Sequence, residues 1–133
     1  MSNPDRARET QRLTPKAPAG YDRIDLSAAD FAGLVVGTVK LDDQGKVIKY
    51  NPFPPSPPRQ DILGKNLFHE VVPFLPQLAA YYEQFLEGVG ARRLYAEFRF
   101  HVVPEEGDPV NVQVMLFYTK NTDSFWALIG QGF

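Results

Sequence analysis

Hydrophobic and polar residues alternate along the second half of the chain. Apolar side chains occupy every second position of residues 94–102 and 110–118, and a third apolar run covers residues 124–133. A period of two places such side chains on one face of a β-strand. The polar stretches "PEEGDP" and "KNTD" separate the three runs. The pattern therefore predicts three consecutive antiparallel strands.

The first half carries signals for one short helix and a hairpin. Ser27 is a suitable N-cap for a short helix over residues 28–32. Two β-rich runs then flank "DDQG", a combination typical of a hairpin turn. After a proline-rich stretch, Asn66 is a suitable N-cap for a second short helix that ends at Pro73.

A longer helix is predicted to begin at Pro76. Its apolar residues recur at spacings of three and four, which defines one buried face; they are Leu78, Tyr81, Tyr82, Phe85, Leu86 and Val89. Gly88 and Gly90 are interpreted as its stop signals. The order of elements predicts an α+β fold, an antiparallel sheet with helices on one face.

Five prolines interrupt this pattern in "YNPFPPSPPRQDILG", residues 50–64. Proline lacks the backbone N–H and holds the preceding residue extended, so the stretch is predicted to form a stiff loop. Residues 54–59 also match the proline-rich ligand pattern P-x-x-P-x-R. A rigid loop is the simpler interpretation.

Composition narrows the class of protein. The 133 residues suit one domain, divided into a flexible tail over residues 1–21 and a folded domain over residues 22–133. The net charge of −2, without a basic patch, argues against nucleic acid as a partner. No apolar run has the length of a membrane span, and the N-terminus lacks the apolar core of a signal peptide, so a cytoplasmic protein is expected.

Candidate catalytic and metal-binding residues are few. The absence of cysteine excludes disulfides and thiolate chemistry. His69 and His101 are both predicted on solvated faces, and Glu105 and Glu106 lie in a turn. No nucleophile–base spacing, phosphate loop or metal cluster is present in the sequence, which predicts no catalytic residue, no metal and no cofactor.

Several phrases together resemble the PAS fold, and more narrowly the photoactive yellow protein family. They are "GTVKLDDQGKVIKYN", "ILGKNLFHEVVPF", "FLEGV" and "NTDSFWALI", which lie between residues 34 and 130. The resemblance implies a five-stranded antiparallel sheet, short helices and one longer helix on one face, and an N-terminal helical cap. It also implies a pocket enclosed by the short helices.

The chain departs from that family where the family's chemistry lies. The family attaches p-coumaric acid to a cysteine directly after the "VxP" phrase, where this chain has Phe74. The family also places a glutamic acid shortly after the "YN" phrase, whereas no carboxylate lies between Asn51 and Gln60 here. The resemblance therefore implies a smaller or phenylalanine-filled pocket. Its predicted lining residues are Tyr50, Phe53, Phe68, Phe74 and Phe98. Tyr50 has a plainer alternative as a core tyrosine with a satisfied hydroxyl.

Three functions are compatible with these features. The first is a non-photoactive PAS-type sensory or regulatory module that acts by binding a protein partner or its own copy. The second is a non-covalent binder of a small apolar or aromatic ligand. The third, a small cone-shaped α+β isomerase or dehydratase, needs a buried Asp–His pair that two exposed histidines would not supply.

Self-association is predicted from the sheet's second face. Met115 and Phe117 point away from the predicted core face of their strand, and an exposed apolar patch is typical of an interface. The predicted homodimer uses Met115, Phe117 and Phe31 of the N-terminal helix. The alternative is that this helix covers the patch within one chain.

Overall fold

The computed structural model describes residues 17–131, and a six-stranded sheet is its main element. The strands are β1 (Asp22–Leu26), β2 (Gly37–Leu41), β3 (Val47–Pro52), β4 (Tyr95–Pro104), β5 (Val110–Thr119) and β6 (Ser124–Gln131). Their order across the sheet is β1-β4-β5-β6-β2-β3. Strands β2 to β6 pair antiparallel, which confirms the predicted α+β, PAS-like sheet.

Strand β1 corrects the predicted strand count. It pairs parallel with β4, from Asp22 opposite Phe100 to Leu26 opposite Pro104, and makes a five-stranded antiparallel sheet into a six-stranded mixed one. Its sequence "DRIDL" carries too little apolar alternation to signal a strand by itself. Most of the predicted tail, residues 1–16, lies outside the described residues, as do residues 132–133.

The short helices begin where the sequence places their caps. Helix α1 (Ala28–Ala32) follows Ser27, whose hydroxyl accepts a hydrogen bond from the Asp30 N–H at 3.1 Å. A π-helical turn, Leu67–Val71, follows Asn66, whose side-chain oxygen accepts hydrogen bonds from the Phe68 and His69 N–H groups, at 2.9 and 3.2 Å. A short 3₁₀ turn, Gln60–Ile62, ends the proline loop.

The longer helix is divided in two. Helix α2 (Pro76–Ala80) stops at Tyr81, whose N–H bonds to the Leu78 carbonyl, and α3 (Tyr82–Ala91) starts anew. Gly88 and Gly90 lie inside α3, so their interpretation as stop signals is wrong. The helix ends instead at Arg92, which adopts the left-handed conformation with φ 53°.

The core lies between one face of the sheet and the helices. Its largest fully buried side chains come from both layers; they include Phe68, Phe85, Leu75 and Leu78 from the helical segments and Phe100, Leu116 and Ile129 from the sheet. The predicted alternation holds in β5, where Val112, Val114 and Leu116 are buried and the intervening residues are partly exposed. No helix among residues 17–131 is long and apolar enough to cross a bilayer.

Candidate functional site

The five predicted pocket residues do not line one pocket. Phe68 is fully buried in the core, and Phe74 packs against the core while partly exposed. Tyr50, Phe53 and Phe98 each line a different surface cleft. Phe53 is 38% exposed, so its ring does not fill the interior.

Aromatic rings fill the interior beside Phe68. The Phe68 ring lies 4.9 Å from the Phe85 ring and 5.2 Å from the Tyr82 ring, between centroids. Phe85 in turn contacts Phe125 of β6 edge-on at 6.1 Å. These spacings are those of favourable aromatic pairs. Phe85 is not among the residues predicted to fill the pocket, although its place in the apolar repeat of the helix is the signal that marks it as buried.

Tyr50 is a half-buried tyrosine whose hydroxyl has a partner within the chain. The hydroxyl donates to the Val36 carbonyl at 2.8 Å, and the same carbonyl accepts the Phe53 N–H at 3.1 Å. Burial raises the pKa of the Tyr50 phenol, while the positive charge of Arg59 opposes this shift. The phenol is therefore a neutral donor that ties β3 to the segment before β2, in agreement with the plainer of the two interpretations.

Arg59 anchors the proline loop. Its guanidinium group binds the Asp61 carboxylate at 2.7 and 3.3 Å and donates to the Gly33 carbonyl, just after α1, at 2.9 Å. The hydrogen bond from Arg59 lowers the pKa of the Asp61 carboxyl group. An arginine in a proline-rich ligand must reach its partner, whereas this one is bonded within its own chain. The geometry therefore favours a rigid loop over a ligand motif.

Two clefts flank this loop. The smaller, about 190 Å³, lies along strand β3, and its walls are Ile48, Lys49, Tyr50, Pro58, Arg59, Gln60 and Leu63. The larger, about 530 Å³, lies at the other side, and its walls are Val36, Phe53, Pro54, Pro55, Ser56, Gly130 and Gln131. Apolar walls with a few polar groups suit a small apolar molecule or a partner side chain.

The two histidines have different surroundings. His69 is exposed, as predicted, with its ring edge-on to Tyr82 at 4.4 Å. The prediction that His101 lies at the surface is wrong, since it is only 6% exposed. Strand β1 flanks it on one side, and its Nδ1 lies 2.8 Å from the Asn111 side-chain oxygen. This contact is to an amide, so it is not the Asp–His pair that an isomerase would need.

Other predicted polar residues have structural contacts. The Glu105 carboxylate accepts a hydrogen bond from the Ala28 N–H at 3.0 Å, where it supports the first turn of α1. Within residues 17–131, no three acidic or histidine side chains lie close enough together to hold a metal ion.

The predicted interface residues lie on two different surfaces. Met115 and Phe117 are partly exposed on the sheet face opposite the core. Phe31 packs against the core cluster instead. The structure thus separates Phe31 from the other two.

Comparison with known proteins finds photoactive yellow proteins. The photoactive yellow protein of Halochromatium salexigens is 30% identical to this chain over an alignment of 118 positions, which covers 83% of this chain and 93% of that protein. The photoactive yellow protein of Rhodothalassium salexigens is 29% identical over 120 residues, with the same coverage.

A solved structure agrees with the sequence comparison. It is the photoactive yellow protein domain of the sensor histidine kinase Ppr from Rhodospirillum centenum. It matches with a TM-score of 0.54 and 27% identity, over 77% of this chain and 97% of that chain. No family model matches the chain.

Proposed function

This chain belongs to the photoactive yellow protein family, and on that premise we propose that it is a non-photoactive sensory or regulatory module that acts through contact with a protein. The PAS-type fold and the relatives support a sensory module. We infer in addition that the module is not photoactive and that it acts by contact with a protein.

The residue at position 74 carries the proposal. The sequence has no cysteine, and Phe74 follows Pro73 at the place where the resemblance expects the thioester-forming residue. A phenylalanine offers no nucleophile. Its ring packs against the core cluster, where it contributes to stability instead.

The partner of the Tyr50 hydroxyl group supports the same conclusion. The Tyr50 hydroxyl, which the resemblance assigns to the chromophore, is bonded to the Val36 carbonyl.

Reconstitution tests the loss of photoactivity. The protein is mixed with activated p-coumaric acid and desalted, and its visible spectrum is recorded in the dark and under blue light. We expect no stable band and no increase in mass. A Phe74→Cys variant is the matched control, in which a covalent mass increase shows that the reagent acylates a thiol at this position. A stable, light-cycling band in the unchanged protein would contradict the proposal.

A second candidate function rests on the larger cleft. Phe53 is 38% exposed beside Pro54 and Pro55, and this arrangement suits an apolar or aromatic small molecule held without a covalent bond. Native mass spectrometry of freshly purified protein tests it. A bound small molecule that is lost in Phe53→Ser but kept in Phe74→Ser would favour this second function.

A further inference from the structure

An exposed apolar pair lies beside the proline loop. Ile48 of β3 is 52% exposed, and Leu63, directly after the 3₁₀ turn, is 44% exposed. Both side chains line the smaller cleft, and Tyr50 and Pro58 complete its apolar walls. Large apolar side chains grouped at one exposed place are typical of a contact surface. The smaller cleft is therefore a candidate docking site.

The walls of this cleft are held in place by contacts within the chain. Arg59 donates to the backbone carbonyl just after α1 at 2.9 Å, and the adjacent prolines stiffen the loop. On the other side, Ile62 is only 1% exposed and anchors the turn before Leu63 in the core. The Gly64 N–H then bonds to the Val47 carbonyl of β3 at 2.8 Å. A surface held in this way loses little conformational freedom on binding.

Positive charge surrounds the cleft. Its wall residues include Lys49 and Arg59 and no carboxylate. Asp61 neutralises Arg59 at 2.7 Å, whereas Lys49 is exposed and belongs to none of the ion pairs of the described residues. The hydrogen bond from Arg59 is the main cause of the lowered pKa of the Asp61 carboxyl group, and the charge of Lys65 adds to it, so Lys65 lies near the same cleft. Since Lys65 is exposed as well, cations exceed carboxylates here.

We propose that the smaller cleft binds a segment of a partner protein in which apolar side chains are flanked by acidic ones. The apolar side chains enter the cleft between Ile48 and Leu63, and the carboxylates pair with Lys49 and Lys65. Opposite charges across an interface raise the association rate and fix the register. The inference rests on the proposed function, because it identifies the surface through which the module contacts a protein.

The charges favour a different protein over a second copy of this chain. A two-fold axis through the cleft brings the same surface of each copy together. Lys49 and Lys65 of one copy then face the same lysines of the other, and Coulomb repulsion opposes that contact. An acidic segment replaces this repulsion with attraction.

The shape of the cleft favours side chains over a free ligand or an added strand. Its volume of about 190 Å³ is below the roughly 300–1,000 Å³ of most small-molecule sites. Pro52 of β3 has no N–H to offer an added strand. The Val47 N–H and carbonyl are already bonded, to Lys65 and Gly64 respectively. The partner therefore docks through its side chains.

Selection from a library of random linear peptides displayed on phage tests the chemistry of the partner. The unchanged protein is the bait, and we expect the enriched peptides to combine Asp or Glu with Leu, Ile, Phe or Trp. One of these peptides, labelled with fluorescein, then serves as the probe in fluorescence anisotropy. Its affinity should fall severalfold between about 0.1 and 1 M salt, where the Debye length shortens from about 10 to 3 Å.

Paired substitutions test the site. Leu63→Ser and Lys49→Glu should each weaken binding of the probe at least about tenfold, since one removes an apolar contact and the other reverses a charge. Leu86→Ser in α3, where the leucine is 39% exposed, and Lys120→Glu, at an exposed lysine before β6, make the same chemical changes elsewhere and should leave the affinity unchanged. Ile48→Ser replaces Leu63→Ser if circular dichroism shows that the latter is unfolded.

Amide chemical shifts locate the bound probe. In isotope-labelled protein, the amides of Ile48, Lys49 and Leu63 should shift as the peptide is added. Shifts confined to Met115 and Phe117, on the sheet face opposite the core, would overturn the assignment of this cleft.

The outcomes separate this inference from the proposed function. Enriched peptides that are basic or uncharged, no enrichment at all, or an affinity unchanged by both Leu63→Ser and Lys49→Glu overturn the inference. A partner protein captured equally by the unchanged protein and by these two variants also overturns it, and leaves the proposed function standing. Conversely, a light-cycling band in the reconstitution spectrum refutes the loss of photoactivity and leaves the docking site standing.

Discussion

Phe68 should be the aromatic residue on which the stability of the interior depends most. Its side chain has no exposed surface, and its ring contacts Phe85 at 4.9 Å and Tyr82 at 5.2 Å. Phe68→Ala removes these contacts and leaves a cavity, which for a buried phenylalanine costs about 3–5 kcal/mol of unfolding free energy. A domain of this size has about 5–15 kcal/mol in total. The variant should fold with greatly reduced stability.

Urea denaturation followed by circular dichroism measures the loss, and Phe74→Ala is the matched comparison. Phe74 packs against the core but is partly exposed, so its removal should cost about 1–2 kcal/mol. If Phe68→Ala does not fold, Phe68→Leu should still lose more stability than Phe74→Leu. Equal losses, or a larger loss at Phe74, would refute the assignment of Phe68 as the ring that fills the interior.

Two further substitutions test how closely strand β3 packs against β2 and the residue before it. Tyr50→Phe removes the hydrogen bond from the Tyr50 hydroxyl to the Val36 carbonyl and should lower the free energy of unfolding by about 0.5–1.5 kcal/mol. The loss stays small because the Val36 carbonyl still accepts a hydrogen bond from the Phe53 N–H. Burial raises the pKa of Tyr50 in the folded protein, so the neutral phenol stabilises the fold. This stabilisation is complete below the ordinary tyrosine pKa and is lost as the pH rises above about 10. Denaturation at several alkaline pH values should show this decline in the unchanged protein and a smaller one in Tyr50→Phe; identical pH profiles would contradict it. Gly37→Ala should cost roughly 3 kcal/mol or more, because φ is 151° and a Cβ there would lie 2.2 Å from the Asn51 carbonyl oxygen. Gly90→Ala, with open space around it in α3, should be neutral or slightly stabilising, and a Gly37→Ala variant as stable as Gly90→Ala would argue against that close approach.

Local patterns predicted local structure well. The alternation in β5 identified its buried and outer faces, and the caps Ser27 and Asn66 marked where their helices begin. These features depend on neighbours within a few residues, which the sequence displays directly.

Features that depend on distant contacts were missed. Strand β1 forms through pairing with β4, more than 70 residues later in the chain, and His101 is buried partly because β1 flanks it. The break at Tyr81 has neither glycine nor proline to signal it. The role of Phe85 in the interior was missed for a related reason: phenylalanine content indicates a large core, but which rings meet there depends on the packing of α3 against the sheet.

The two edges of the sheet have a consequence for aggregation. Strand β3 ends at Pro52, which has no N–H to offer an added strand, and its pairing with β2 is irregular at Lys40 and Leu41. Strand β1, at the other edge, has only five residues and carries the ion pair of Arg23 with Asp25. Sideways addition of strands from other molecules is the first step toward fibrils, and both edges oppose it. Concentrated protein should therefore resist fibril growth as long as the native sheet stays folded.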